Sequence, residues 1–171
     1  MKKLLFICIA IIFSCSAWSQ DMSVMTFNLR LATGKDAPYH WQARTDAVAY
    51  CLKKEKPALL GVQEALHVQI EFLDSLLTGY KREGVGRDDG KTGGEYSAIY
   101  YDARRFKLLD GGTFWLSETP SKVSMGWDAA CRRVVSWVKL KDLKSDREFC
   151  YMNTHFDHIG KTARMSSAKL L

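Results

Sequence analysis

Ala58, Leu59, Leu60, Gly61 and Val62 form a wholly apolar run set between two stretches of helical periodicity, and no other feature constrains the fold as strongly. A strand with one face in water alternates, whereas a short unbroken run reads as a strand buried between layers. Covering both faces takes elements above and below. The run ends abruptly in Gln63 and Glu64, so a carboxylate stands where the buried strand emerges.

The flanking patterns supply the covering layers. Residues 44–56 place Ala47, Val48, Cys51 and Leu52 on one side of a helix that Pro57 ends. Val68, Phe72, Leu73, Leu76 and Leu77 recur at helical spacing before Gly79. Upstream, residues 23–29 alternate as a strand; downstream, residues 80–85, 97–101, 134–140 and 147–154 read as strands, the last two joined by a polar turn at 142–146. Residues 86–94 carry four glycines and read as the most mobile stretch, and residues 162–171 begin a third helix. This order predicts an α/β layered domain over residues 22–171, its sheets covered by helices.

Residues 1–19 are set apart from that domain. Lys2 and Lys3 precede an apolar run from Leu4 to Phe13, followed by the small residues around Ala17 and Ser19, the pattern of a secretory signal. The run is too short to span a bilayer. An exported, periplasmic or extracellular chain is expected, with cleavage after Ser19; the rival is lipid anchoring through Cys15, whose preceding Phe13 fits a lipoprotein box poorly. Beyond the leader remain Cys51, Cys131 and Cys150, enough for one disulfide at most and for no stapled framework. With 25 basic against 19 acidic residues, the net charge of +6 is mild and dispersed. A dense basic stripe of the kind that binds nucleic acid by charge alone is missing.

Polar residues at the strand ends carry the chemistry, because α/β domains collect their sites there. Asn28, Glu64 and His155 each lie at or near the end of an apolar run. A carboxylate in the position of Glu64 is costly if buried alone, and paired with an amide it suits Mg2+ or Mn2+; a helix-capping role stands level with that reading. Strand alternation puts Asn153, His155 and Asp157 on one face, which points to a polar site more than to an isolated core histidine. A zinc site using His155 and His158 is the weaker alternative, since no cysteine cluster supports it.

Together, Thr26-Phe27-Asn28, Gly61-Val62-Gln63-Glu64-Ala65, Gly94-Glu95-Tyr96-Ser97-Ala98-Ile99-Tyr100-Tyr101, Trp127-Asp128-Ala129-Ala130-Cys131-Arg132-Arg133 and Asn153-Thr154-His155-Phe156-Asp157 resemble the endonuclease/exonuclease/phosphatase superfamily. The resemblance implies a four-layer α/β sandwich of the deoxyribonuclease-I-like kind, incomplete at its C-terminal side. It further implies that the full-length form is a divalent-metal phosphoesterase acting, as a monomer, on a phosphate ester, with nucleic acid among the candidates.

By the same resemblance Glu64 is the principal metal ligand and Asn28 positions the metal or phosphate. His155 binds the phosphate, with Arg133, Glu95 and Asp157 grouped as catalytic residues. Arg133 is preferred to Arg132 because many relatives carry proline at the latter place; a surface arginine before a strand is the bland reading of it. Family members also carry an Asp-Phe-Asn and a final Ser-Asp-His segment, expected beyond Leu171. The same expectation leaves strand edges of the second sheet uncovered, and makes a catalytically inactive fragment, or a binding protein that retains the fold, the alternative to an enzyme.

Overall fold

The computed structural model describes residues 22–35 and 37–171, so the leader and Cys15 lie outside the described residues. β1 (Val24–Asn28) and β2 (Leu59–Gln63) run parallel, with Asn28 opposite Gln63. A parallel pair requires a crossover, and α1 (Trp41–Glu55) provides it. The helix starts three residues ahead of the expected place because His40 caps it, Nδ1 accepting the Ala43 N–H at 3.3 Å. Val48 and Leu52 turn inward as expected; Ala47 is exposed, and Trp41 fills the inner position instead.

α2 (His67–Leu76) follows β2, then β3 (Tyr80–Glu83) and β4 (Ile99–Asp102), which complete a sheet ordered β1-β2-β4-β3. Both helices cover one face of it, Trp41, Val48, Leu52, Ile70 and Leu73 packing with Leu60, Val62 and Tyr100. Val68, read from periodicity as an inward residue, is 48% exposed, and Gln69 and Ile70 take the buried stripe.

The second sheet is antiparallel, ordered β5-β6-β7, from β5 (Phe106–Trp115), β6 (Val134–Asp142) and β7 (Glu148–Thr154). β5 is not legible in the sequence. A bulge between Leu108 and Asp110 breaks its alternation, and Gly111 and Gly112, which both pair with β6, give no strand signal. Leu59, Ile99 and Tyr101 from the first sheet meet Phe106, Val138 and Leu140 from the second, so β2 is buried between layers as its composition requires. Gly61 lets the sheets approach: a Cβ there would lie 2.8 Å from the Asn153 side chain and the Tyr151 hydroxyl. α3 (Lys161–Leu170) follows β7 in the chain, with Ala163 and Ser167 its buried residues.

Two further expectations change. The glycine-rich segment is closely bonded: Gly86 N–H donates to Lys91 O, Asp88 N–H to Gly93 O and Arg87 N–H to Glu95 O. Its glycines serve a compact turn: Gly94 is at φ 79, and a Cβ there would run into the Asp88 carboxylate. The alternation drawn through Asn153, His155 and Asp157 also fails, because β7 ends at Thr154 and the chain turns. Asn153 points between the sheets, donating to Val62 O and Ala98 O at 2.8 and 2.9 Å and accepting from Gln63 Nε2 at 2.7 Å.

Candidate active site

The parallel register of β1 and β2 brings Asn28 and Glu64 together at the same end of the first sheet. Asn28 donates its amide to Glu64 Oε1 at 2.8 Å, and the Leu31 N–H donates to Oε2 at 3.1 Å. The Arg30 N–H in turn donates to Asn28 Oδ1 at 2.8 Å. Both carboxylate oxygens are therefore oriented, and neither meets a salt-bridging side chain among the described residues. Burial alone would raise the Glu64 carboxyl. The Asn28 amide, the Leu31 N–H and nearby His155 and Arg133 outweigh it and hold the group below its ordinary value.

This arrangement is built on a strained backbone. Glu64 at φ 58 and Arg30 at φ 55 both occupy the left-handed region, at a cost of about 1–3 kcal/mol each. Helix capping does not account for Glu64: α2 begins at His67, and the N–H of Leu66 is served by Gln69 Oε1 at 3.0 Å. A half-buried carboxylate, fixed at both oxygens and lacking a bonded cation, fits a hard divalent ion that keeps several waters.

Facing Glu64 is a buried polar cluster centred on Arg133, only 5% exposed. Its Nη1 donates to His155 Nδ1 at 3.3 Å, its Nη2 to His158 Nδ1 at 3.0 Å, and its Nε to Asp157 Oδ2 at 3.4 Å. Guanidinium can only donate, so Nδ1 of His155 accepts and the hydrogen of the neutral ring sits on Nε2. Burial and then Arg133 lower the His155 pKa, with Glu64 and Glu95 pulling the other way. In its neutral form the ring presents the Nε2 N–H away from Arg133. His155 also lines a groove of about 500 Å3 between Thr26 and Gln63 on one side and β7 on the other.

Asp157 anchors the cluster. Its Oδ1 accepts from the N–H groups of Ile159 and Gly160 at 2.9 and 2.7 Å, and its Oδ2 from Ala130 at 3.1 Å as well as from Arg133. With 3% exposure it has no surface to offer a substrate. Burial would raise its pKa, but the three backbone N–H groups and Arg133 overcome this and hold it far below the ordinary aspartate value. A depressed folded pKa contributes stability that is complete above about pH 4 and drains away as the pH falls below that. Urea unfolding at pH 6 and pH 3 should show Asp157→Asn well below the native protein at the higher pH and closer to it at the lower. An equal gap at both would exclude the ionised carboxylate as the cause.

Glu95 lies within electrostatic reach of His155, but Arg87 occupies both of its oxygens, at 2.8 and 2.9 Å. It holds Arg87 against the cluster. Cys131, Asp157 and His158 could together approach a metal ion; Arg133 already holds the His158 nitrogen and the carboxylate, so a zinc ion would have to displace a guanidinium. Burial pushes the Cys131 thiol up despite Arg87 and Arg133, which leaves it a poor nucleophile.

The structure thus brings Asn28, Glu64, His155, Arg133, Glu95 and Asp157 to one end of the sheets. Sequence reasoning gave no site role to Arg87, in the glycine-rich segment, or to Asp128, which accepts from the Thr162 and Ala163 N–H groups at the start of α3. Among the described residues no helix is long and apolar enough to cross a membrane.

No family model and no curated protein matches the sequence, but solved structures do. An endonuclease/exonuclease/phosphatase from Bacteroides vulgatus is 44% identical over 89% of this chain, with a TM-score of 0.86 and 59% of that protein covered. A mannosyl-6-phosphatase from Bacteroides thetaiotaomicron is 41% identical over 88%, with a TM-score of 0.84 and 57% covered. An endonuclease/exonuclease/phosphatase family protein from the same organism is 42% identical over 87%, with a TM-score of 0.84 and 55% covered. The chain spans less than three fifths of the length of each of these relatives. On identities above 40% that run through most of its described residues, the chain belongs to the endonuclease/exonuclease/phosphatase family.

Proposed function

We propose that the protein, in its full-length form, is a phosphoesterase dependent on Mg2+ or Mn2+, exported by its leader. The observation that carries this reading is the Glu64 carboxylate, pinned at both oxygens by Asn28 and Leu31 and facing His155 and Arg133. Glu64 would hold the ion, and Asn28 would orient Glu64. A bound divalent ion supplies Lewis-acid stabilisation of charge on phosphate oxygens. His155, hydrogen-bonded by Arg133 on one nitrogen, presents the N–H of the other to a phosphate oxygen. Arg133 and Arg87 add positive potential where that charge develops.

The mannosyl-6-phosphatase relative makes a phosphomonoester the first substrate class to test, ahead of the diesters of a nuclease. Hydrolysis of p-nitrophenyl phosphate and of bis-p-nitrophenyl phosphate separates the two. Turnover is expected to fall to background after chelation and to return with Mg2+ or Mn2+, faster on the monoester. Turnover that survives exhaustive chelation would overturn the metal assignment. Tight Mn2+ binding without turnover would instead select the binding protein that keeps the fold.

A further inference from the structure

Leu29, Arg30, Leu31 and Ala32 connect β1 to the loop that leads into α1, and this short backbone supplies the N–H of Leu31 to Glu64 and that of Arg30 to Asn28. A segment of this kind, entered through a left-handed residue, would sample many conformations if tied only to its neighbours. Two side chains from different helices tie it. Arg44 of α1 donates Nη1 to Leu29 O, Nη2 to Arg30 O at 2.9 Å and Nε to Tyr39 O at 2.8 Å. Gln69 of α2 donates Nε2 to Arg30 O at 3.1 Å and accepts the Ala32 N–H at 3.2 Å.

Each residue also has a local role, Gln69 capping α2 by accepting the Leu66 N–H at 3.0 Å and Arg44 lying over the Trp41 ring at 5.4 Å, but neither role accounts for the bonds to the 29–32 backbone. Gln69 has 0% exposure in a buried stripe otherwise made of Ile70 and Leu73, where a polar side chain is costly unless its groups are satisfied. Its oxygen and its nitrogen both serve the loop, and its oxygen also accepts the Leu66 N–H two residues beyond Glu64. Arg44 spends its guanidinium on three carbonyls and not on a carboxylate. Arg30 O receives both side chains, so the backbone on which the Asn28 and Leu31 bonds depend is held from two directions.

We propose that Arg44 and Gln69 are positioning residues, fixing the 29–32 backbone so that Asn28 and the Leu31 N–H hold Glu64 in one orientation. Their link to metal affinity rests on the reading of Glu64 as a metal ligand; the holding itself does not. Partners one step removed from a ligand change metal affinity by roughly 10- to 100-fold, which sets the scale of the expected effect.

The test uses Gln69→Leu and Arg44→Lys in the full chain, with Leu73→Ala as a control that destabilises the same helix without touching the loop. Amide hydrogen exchange is followed by NMR and Mn2+ affinity by titration. In both variants the Leu31 amide should exchange at least about tenfold faster while the amides of β2 keep their protection. Mn2+ affinity should fall about tenfold or more. Leu73→Ala should change neither.

Unchanged Leu31 exchange in both variants overturns the proposal, whatever the metal does. A Glu64→Gln variant separates the two claims. If it binds Mn2+ as tightly as the native protein, the metal reading fails while the exchange result still decides the positioning role. If it loses Mn2+ and Gln69→Leu does not, the positioning role fails alone.

Discussion

In the full-length protein, Glu64→Ala is expected to abolish metal-dependent hydrolysis, lowering kcat/KM by roughly three orders of magnitude, or about 4 kcal/mol of transition-state stabilisation. The size follows from what the side chain does: it is the oriented carboxylate at the strand ends, with Asn28 and the Leu31 N–H devoted to it. Glu64→Gln keeps the shape of the side chain but not its charge, and should fail comparably. Stability should separate the variants by another criterion. Glu64 sits at φ 58, a conformation that Ala tolerates poorly and Gly freely. Glu64→Gly should therefore unfold at higher urea than Glu64→Ala, by about 1 kcal/mol, while being just as inactive. A site that stores strain for function behaves in this way. Retention of more than a tenth of the native rate in Glu64→Ala would remove this residue from the site.

The strand ends were legible because period and composition alone mark them. The apolar run before Glu64 could only be buried between layers, and the layered order of helices and strands followed from spacing. What escaped was set by contacts distant in sequence. Asn153 lies two residues before His155, which suggests a shared polar face, yet its partners are Gln63, Val62 and Ala98 across the sandwich. Asp157 resembles a catalytic acid by position, but three backbone N–H groups and Arg133 enclose it. Strand β5 was hidden by a bulge, which removes the very period that a strand shows. One signal could have been found: Gln69 interrupts the buried stripe of α2, and a polar side chain in an apolar stripe must be bonded to something. The glycines at 86–94 misled for the opposite reason, since close backbone approach and flexibility demand the same residue.

Arg133→Met is expected to damage stability and activity through separate routes, and pH tells the routes apart. Breaking a buried ion pair by removing one partner costs about 3–5 kcal/mol. The lower end applies here, because three N–H groups continue to serve Asp157. Arg133 helps to depress the Asp157 pKa, so its removal raises that folded value toward the unfolded one. The stability difference from the native protein is then full above about pH 4 and narrows as both carboxylates protonate below it. Hydrolysis follows a different rule. Losing the guanidinium frees Nδ1 of His155 and Nδ1 of His158 from their donor and removes positive potential near the phosphate, for a loss of roughly 10²–10³ in kcat. That loss persists at pH 7 in folded protein, at urea concentrations far below the unfolding midpoint. Arg133→Lys restores the charge without the three-way donor geometry, so it should recover more stability than activity. If Arg133→Lys regains both in full, the guanidinium acts only as a charge, and the orientation of His155 must come from elsewhere.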